Sequence, residues 1–218
     1  MADRDRNRRA NLLQVLATQK DPQLEEAVEV AMSDAELREE LLAGLLCKQD
    51  MYRYNCFKVL FEVSEKAPTL LYPRWDDFVE LLHSDNSYHR SIGLRIIANL
   101  TSVDTAKRFD AIFEPYFALL DDEKIITARY LAGSAAAVGR FRPDLQPRIS
   151  EKLLAVDGTH HSKGRKDLLK GDIIRTLDTF FEDSPDRARI LAFADAQLES
   201  SSPKTRKGAK AFLKAHTT

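Results

Sequence analysis

The chain has 218 residues, of which 31% are charged and 44% hydrophobic, with a formal net charge of −1 and a pI near 6.5. That balance argues against a protein whose main task is to wrap polyanionic nucleic acid, where a domain pI usually lies above about 9. No apolar run approaches the roughly 20 residues that cross a bilayer, and Met1 to Arg9 lead into an amphipathic segment with no signal-peptide core, so a cytoplasmic protein without membrane contact is expected.

Taken in order, Leu12, Leu13, Val15 and Leu16 make one stripe on a helix from Arg4 to Thr18 whose other side is basic. Asp21-Pro22 predicts the start of a short acidic helix to Met32, and Ser33 with Glu36 three residues on reads as a capping box for a helix to Leu46. A helix from Met51 to Lys66 carries Tyr54, Phe57, Val59, Leu60, Phe61 and Val63, enough apolar surface to pack on two neighbours. Cys47 and Cys56 flank its start and are expected as reduced, buried thiols rather than a disulfide. After Pro68 and Pro73, Trp75, Phe78, Val79 and Leu82 share one helical face and Asp76, Asp77 and Glu80 the other.

The same pairing of helices follows downstream. Ile92 to Leu100 is dense in apolar residues, and Phe109, Ile112, Phe113, Tyr116, Phe117 and Leu120 form the stripe of its partner, with a kink expected at Pro115. The small residues from Ala132 to Ala137 predict close helix approach, and Pro143 and Pro147 introduce a helix with Leu145, Ile149, Leu153 and Leu154. A polar, glycine-containing loop is expected over 156–165. Helices through Leu168 to Phe181 and Ile190 to Leu198 come next, and Ser200 to Pro203 precede a basic terminal helix ending at His216. Sustained period-two alternation and hairpin signals are missing, so the chain reads as all-α.

One pattern recurs: an Arg, a small residue three later and an apolar residue seven later, as in Arg53/Cys56/Leu60, Arg90/Gly93/Ile97, Arg206/Ala209/Leu213 and, more loosely, Arg129/Ala132/Ala136, with Lys170 or Arg165 standing in for the remaining copy. Leucines close the preceding helix each time, and these anchors lie roughly 34 to 44 residues apart, a repeat-array period. From about Ala35 onward the turn motif resembles that of HEAT repeats, the α-hairpin units of armadillo-type superhelices. The resemblance implies a right-handed superhelix of stacked antiparallel helix pairs, with a ladder between turn Asp and Arg side chains. Here Asp50 and Asp85 lie three and five residues before their Arg, against six in the family pattern. The organisation expected is a single α-solenoid domain over 1–218: capping helices at 1–46, helix pairs at 47–202 and a basic capping helix at 203–218.

A superhelix of this kind implies a non-catalytic protein–protein interaction scaffold that holds a partner on its concave face. Nucleotide-loop, serine-elbow and zinc-protease motifs are missing, so no catalytic residue, cofactor or metal is expected. Asp76, Asp77, Glu80, Asp110 and Glu114 would line one side of adjacent second helices as an acidic strip for a basic partner. His160 and His161, in the loop, are further partner-binding candidates, with no acid at metal spacing beside them in sequence. His83, Asp85 and His89 surround one turn but supply no fourth metal ligand. Lys163, Arg165, Lys166, Lys204, Arg206, Lys207 and Lys210 would form a phosphate-facing patch if their helices align. That is the alternative: a nucleic-acid-binding protein similar to HEAT-like DNA glycosylases for alkylated bases, for which Trp75, Asp76 and Tyr116 are the matching aromatic and acidic residues.

Overall fold

The computed structural model describes residues 2–217, and among these every regular element is helical, as the apolar periodicity requires. Twelve α-helices are found in the described residues: α1 Ala2–Thr18, α2 Glu25–Ser33, α3 Ala35–Gly44, α4 Asp50–Lys66, α5 Trp75–Leu82, α6 Ser87–Leu100, α7 Arg108–Ala118, α8 Ile125–Phe141, α9 Gln146–Leu154, α10 Lys163–Asp178, α11 Arg187–Asp195 and α12 Pro203–His216. None of them is long and apolar enough to cross a membrane. The chain divides into two compact units, one up to Phe78 and one from Val79, with the boundary inside α5.

In the first unit α4 packs against α1, α2 and α3. Cys56, Val59, Leu60 and Val63 are fully enclosed, whereas Tyr54, expected in that core, is exposed. Gly44, the last residue of α3, lets α3 and α4 approach closely: a Cβ there would stand 2.5 Å from Cys56 Sγ. Burial pushes the Cys56 thiol up to about 12, so it is an inert packing group, and both cysteines are free. Two starts differ from expectation. α2 begins at Glu25, not at Asp21-Pro22. α3 is capped by Asp34, not Ser33: the Asp34 backbone is extended and its carboxylate accepts from Glu36 N at 2.9 Å and Leu37 N at 3.1 Å. Arg9 of α1 donates to the same carboxylate at 3.0 Å, which ties α1 to the cap. Inside the unit, Asn55 Nδ2 donates to the Leu16 and Gln19 carbonyls at the end of α1.

In the second unit the first helices of successive pairs pack side by side, α6 on α8, α8 on α10 and α10 on α12, and α9 packs on α11. α7 buries Phe109, Phe113, Tyr116 and Phe117 and continues through Pro115. Buried hydroxyls join neighbours: Tyr116 to the Leu94 carbonyl, Thr176 to that of Ala132 and Thr205 to that of Asp167. A Cβ at Gly171 would meet Thr205 Oγ1 at 2.5 Å, so the α10–α12 contact depends on that glycine. In α8 the close approach belongs to Ala128, Ala132 and Ala135, all fully buried, while Gly133 has nothing within 4 Å of where a Cβ would be. The expected 156–165 loop is shorter than its composition suggests, because Ala155–Gly158 forms a 3-10 turn and α10 starts at Lys163.

The recurrent basic residue is the fourth residue of a first helix, and its task is to reach back to the turn it follows. Arg53 donates to the Cys47 carbonyl, Arg90 to Ser84 and Arg206 to Ser200, each six residues upstream, at 2.9, 2.7 and 2.6 Å. In α10 the position is Lys166, bonded to the Asp157 carbonyl at 2.7 Å, and neither Arg165 nor Lys170, which pairs with the Asp157 carboxylate. In α8 it is Ala128, so Arg129 is not a copy of the motif. Its guanidinium instead pairs with Asp172 of α10 at 2.6 Å. The acids expected in the ladder act locally: Asp50 pairs with Arg53 of its own helix, and Asp85 offers Arg90 only its carbonyl. The rung between pairs is made by Asp122, whose carboxylate accepts from Arg90 Nε at 2.5 Å and Nη2 at 2.9 Å. Burial opposes ionisation of Asp122, but the Arg90 bonds and the Lys124 amide outweigh it and hold the carboxyl below the usual range.

Two outcomes follow from these contacts. Arg90→Met leaves a buried carboxylate without its cation and is expected to lower unfolding free energy by about 3 kcal/mol in urea melts. At the other end, His216 bonds Asp178 at 2.7 Å and Glu182 at 3.0 Å and stacks on Phe181 and Phe212. These bonds, Asp178 first, raise its pKa above the ordinary value of about 6.5. The stabilisation is therefore complete below that value and is lost as pH rises through the raised one. The melting-temperature difference between wild type and His216→Gln should be largest near pH 6 and shrink toward pH 8.5.

Candidate functional site

The exposed side of the α8–α10 pair carries a groove of about 410 Å³. Ile126, Arg129, Tyr130, Gly133 and Ala136 of α8 line it opposite Asp172, Arg175 and Thr176 of α10. α8 turns Thr127, Ala128, Leu131 and Ala132 inward, which places Ile126 and Tyr130, four residues apart, on the opposite side with 45% and 38% of their surface exposed. Gly133 continues that exposed row and adds no side chain, so the space over the helix is open.

The charge of the groove is positive. The buried Asp172 carboxylate takes Arg129 Nε at 2.6 Å and also bonds Arg175, two guanidiniums for one acid. Arg95 of α6 lies over the Tyr130 ring at 5.1 Å. The polar groups of the lining are engaged within the fold: Thr176 donates its hydroxyl to the Ala132 carbonyl and Asp172 is held by Arg129 and Arg175. None of Ile126, Tyr130 and Gly133 was singled out by sequence. The signal was present as an apolar pair at helical spacing out of phase with the alanine-rich buried stripe.

Three of the five acidic candidates, Asp77, Asp110 and Glu114, are ion-paired. On α7, Asp110 bonds Arg142 at 2.6 Å, and Glu114 bonds Arg148 at 3.0 Å and Lys152 at 2.6 Å. The Lys152 and Arg148 bonds hold the Glu114 carboxyl below its usual range. In the first unit Asp77 pairs with Arg74 at 2.6 Å and Asp76 is exposed; Glu80, in the second, is exposed as well. α7 therefore presents a neutralised seam where spare negative charge was expected, while Asp76 and Glu80 lie at the surface. Of the basic candidates, Lys166 and Arg206 are committed to turn carbonyls, while Lys163, Arg165, Lys204, Lys207 and Lys210 are exposed along α10 and α12. Trp75 is 1% exposed and Tyr116 fully buried, so neither presents a ring to a ligand.

The histidine pair is placed differently from a solvated loop. His161 is 4% exposed, its Nε2 lies 3.2 Å from the Leu120 carbonyl oxygen, and its buried Nδ1 has no hydrogen-bond partner. His160 is exposed and stacks on it with ring centroids 4.4 Å apart. Asp121, 39 residues upstream, accepts from His160 N at 2.7 Å and sits 2.6 Å from His160 Nδ1. Those bonds, the backbone one first, keep the Asp121 carboxyl below its usual range. By contrast, His83, Asp85 and His89 do not bring ligand atoms together; His89 Nδ1 is 3.0 Å from Ser84 Oγ.

No protein-family model matches the chain, and no curated protein matches it significantly.

Proposed function

We propose that the chain is a HEAT-like α-superhelix acting in the cytoplasm as a non-catalytic scaffold, and that it holds an acidic, partly apolar segment of a partner protein in the groove between α8 and α10. The observation that carries this reading is Gly133. A glycine in a helix interior costs about 1 kcal/mol relative to alanine, and here no neighbour needs the missing Cβ. The opening has a use once a ligand backbone lies over α8. Ile126 and Tyr130 then supply apolar contact, and Arg129 and Arg175 together supply more positive charge than Asp172 balances. This moves the binding surface from the acidic candidates, of which Asp77, Asp110 and Glu114 are already paired, to the α8–α10 groove.

The test uses the full chain against a displayed library of random peptides, with hits measured by fluorescence anisotropy, and labelled duplex and single-stranded DNA titrated in parallel. Selected peptides should combine Asp or Glu with apolar residues. Gly133→Leu should weaken them at least about tenfold without lowering the melting temperature, because the substitution meets nothing in the fold. Binders indifferent to Gly133→Leu and Arg175→Glu would remove the groove from the account. DNA binding that persists near 150 mM salt and is lost when Lys204, Arg206, Lys207 and Lys210 become Glu would favour the nucleic-acid reading.

A further inference from the structure

We propose that Asp121, His160 and His161 form a binding site for a divalent transition-metal ion of the zinc class, at the junction of the turn before α8 and the loop before α10. The site is independent of the groove. Each of the three side chains offers one ligand atom, and these atoms lie within 4.8 Å of one another.

The protonation of His161 is what makes the cluster more than a polar contact. A carbonyl oxygen only accepts, so the ring nitrogen facing Leu120, Nε2, must carry the proton. In the neutral ring Nδ1 is then a bare lone pair, and it is buried without a partner. Metal-bound imidazoles are held in the same way, one nitrogen donating to a backbone carbonyl while the other ligates, which fixes both tautomer and ring orientation. A buried lone pair without a donor is a site waiting for an electrophile. His160 Nδ1 lies 2.6 Å from the Asp121 carboxylate, and an entering ion would take the place of a proton between them with both groups as ligands.

The donor set selects the ion. Two imidazoles and one carboxylate suit zinc, cobalt, nickel or copper, whereas magnesium and calcium require mostly oxygen. Three protein ligands leave at least one position of a tetrahedral ion open. Asp121 and His160 are exposed, so that position faces solvent and would take water or a donor from another molecule. Within the chain the ion would join segments 39 residues apart, beside the buried Asp122–Arg90 pair.

The experiment is a zinc titration of the untagged full chain, followed by calorimetry and by competition with a chromophoric chelator at pH 7.5. One zinc ion per chain with micromolar or tighter affinity is expected, released on acidification. His160→Gln and Asp121→Asn, both at exposed positions, should weaken binding at least about tenfold while circular dichroism melts show the fold intact. His83→Gln should leave it unchanged. The proposal is overturned by the lack of one-to-one binding, by affinity that survives both substitutions, or by millimolar magnesium competing as well as zinc.

Discussion

The turn before each first helix exposes main-chain carbonyls at a point where the helix must already be packed, and an unpaired buried carbonyl is costly. The cation at the fourth residue of the helix removes that cost. Its side chain reaches back over its own helix start, so the geometry is local and can be repeated wherever a pair begins. Arg serves best because one guanidinium has five donors: Arg90 serves the Ser84 and Asp85 carbonyls and still grips both oxygens of Asp122. Lys166, with a single ammonium, secures one carbonyl. Where α8 carries Ala128, the turn is held from outside, since Asp122 accepts from Lys124 N and from Arg90 of the preceding pair. The copy that lacks its own cation is thus the copy that borrows one.

This explains which parts of the fold were legible. Helix number and order follow from apolar periodicity and from proline and serine at the starts, and Arg53, Arg90 and Arg206 could be recognised because their contacts span six residues. Arg129 shows the limit of the pattern. It shares the spacing to a small and an apolar residue but sits one position past the register, so it faces outward to Asp172 instead of back to the turn. Lys166, rather than Lys170 or Arg165, holds the turn because the preceding loop folds into a 3-10 turn, which lengthens the reach to nine residues. Ser33 lost the cap of α3 to Asp34 for a similarly local reason, the adjacent residue having the extended backbone and a carboxylate that also meets Arg9.

The site residues were hidden for a different reason. Charge on a helix face says nothing about what lies across from it, and Asp110 and Glu114 read as an acidic surface until α9 and the turn before it are folded against α7 with Arg142, Arg148 and Lys152. The histidine pair is the converse. No acid stands near His160 and His161 in sequence, yet Asp121 is brought to them from the preceding pair, and burial of His161 against Leu120 decides which nitrogen is bare. Helices packed on neighbours bring together residues as far apart as Asp121 and His160, 39 positions, so such sites are assembled from positions that motif spacing cannot relate.

Both features meet at the start of α8. Asp121 and Asp122 are consecutive, one turned to His160 and the other to Arg90, so the same short turn is held by α6 from one side and by the loop before α10 from the other. Ile126, Arg129 and Tyr130 follow within the next helical turns and inherit that position. A groove whose walls come from two parallel helices is only as well defined as the register between them. Arg129–Asp172 and Thr176 to the Ala132 carbonyl fix that register at two points along α8, beside the exposed apolar row. A groove built in this way would need little ordering to hold a ligand, which is the thermodynamic advantage a packed helix layer has over a loop.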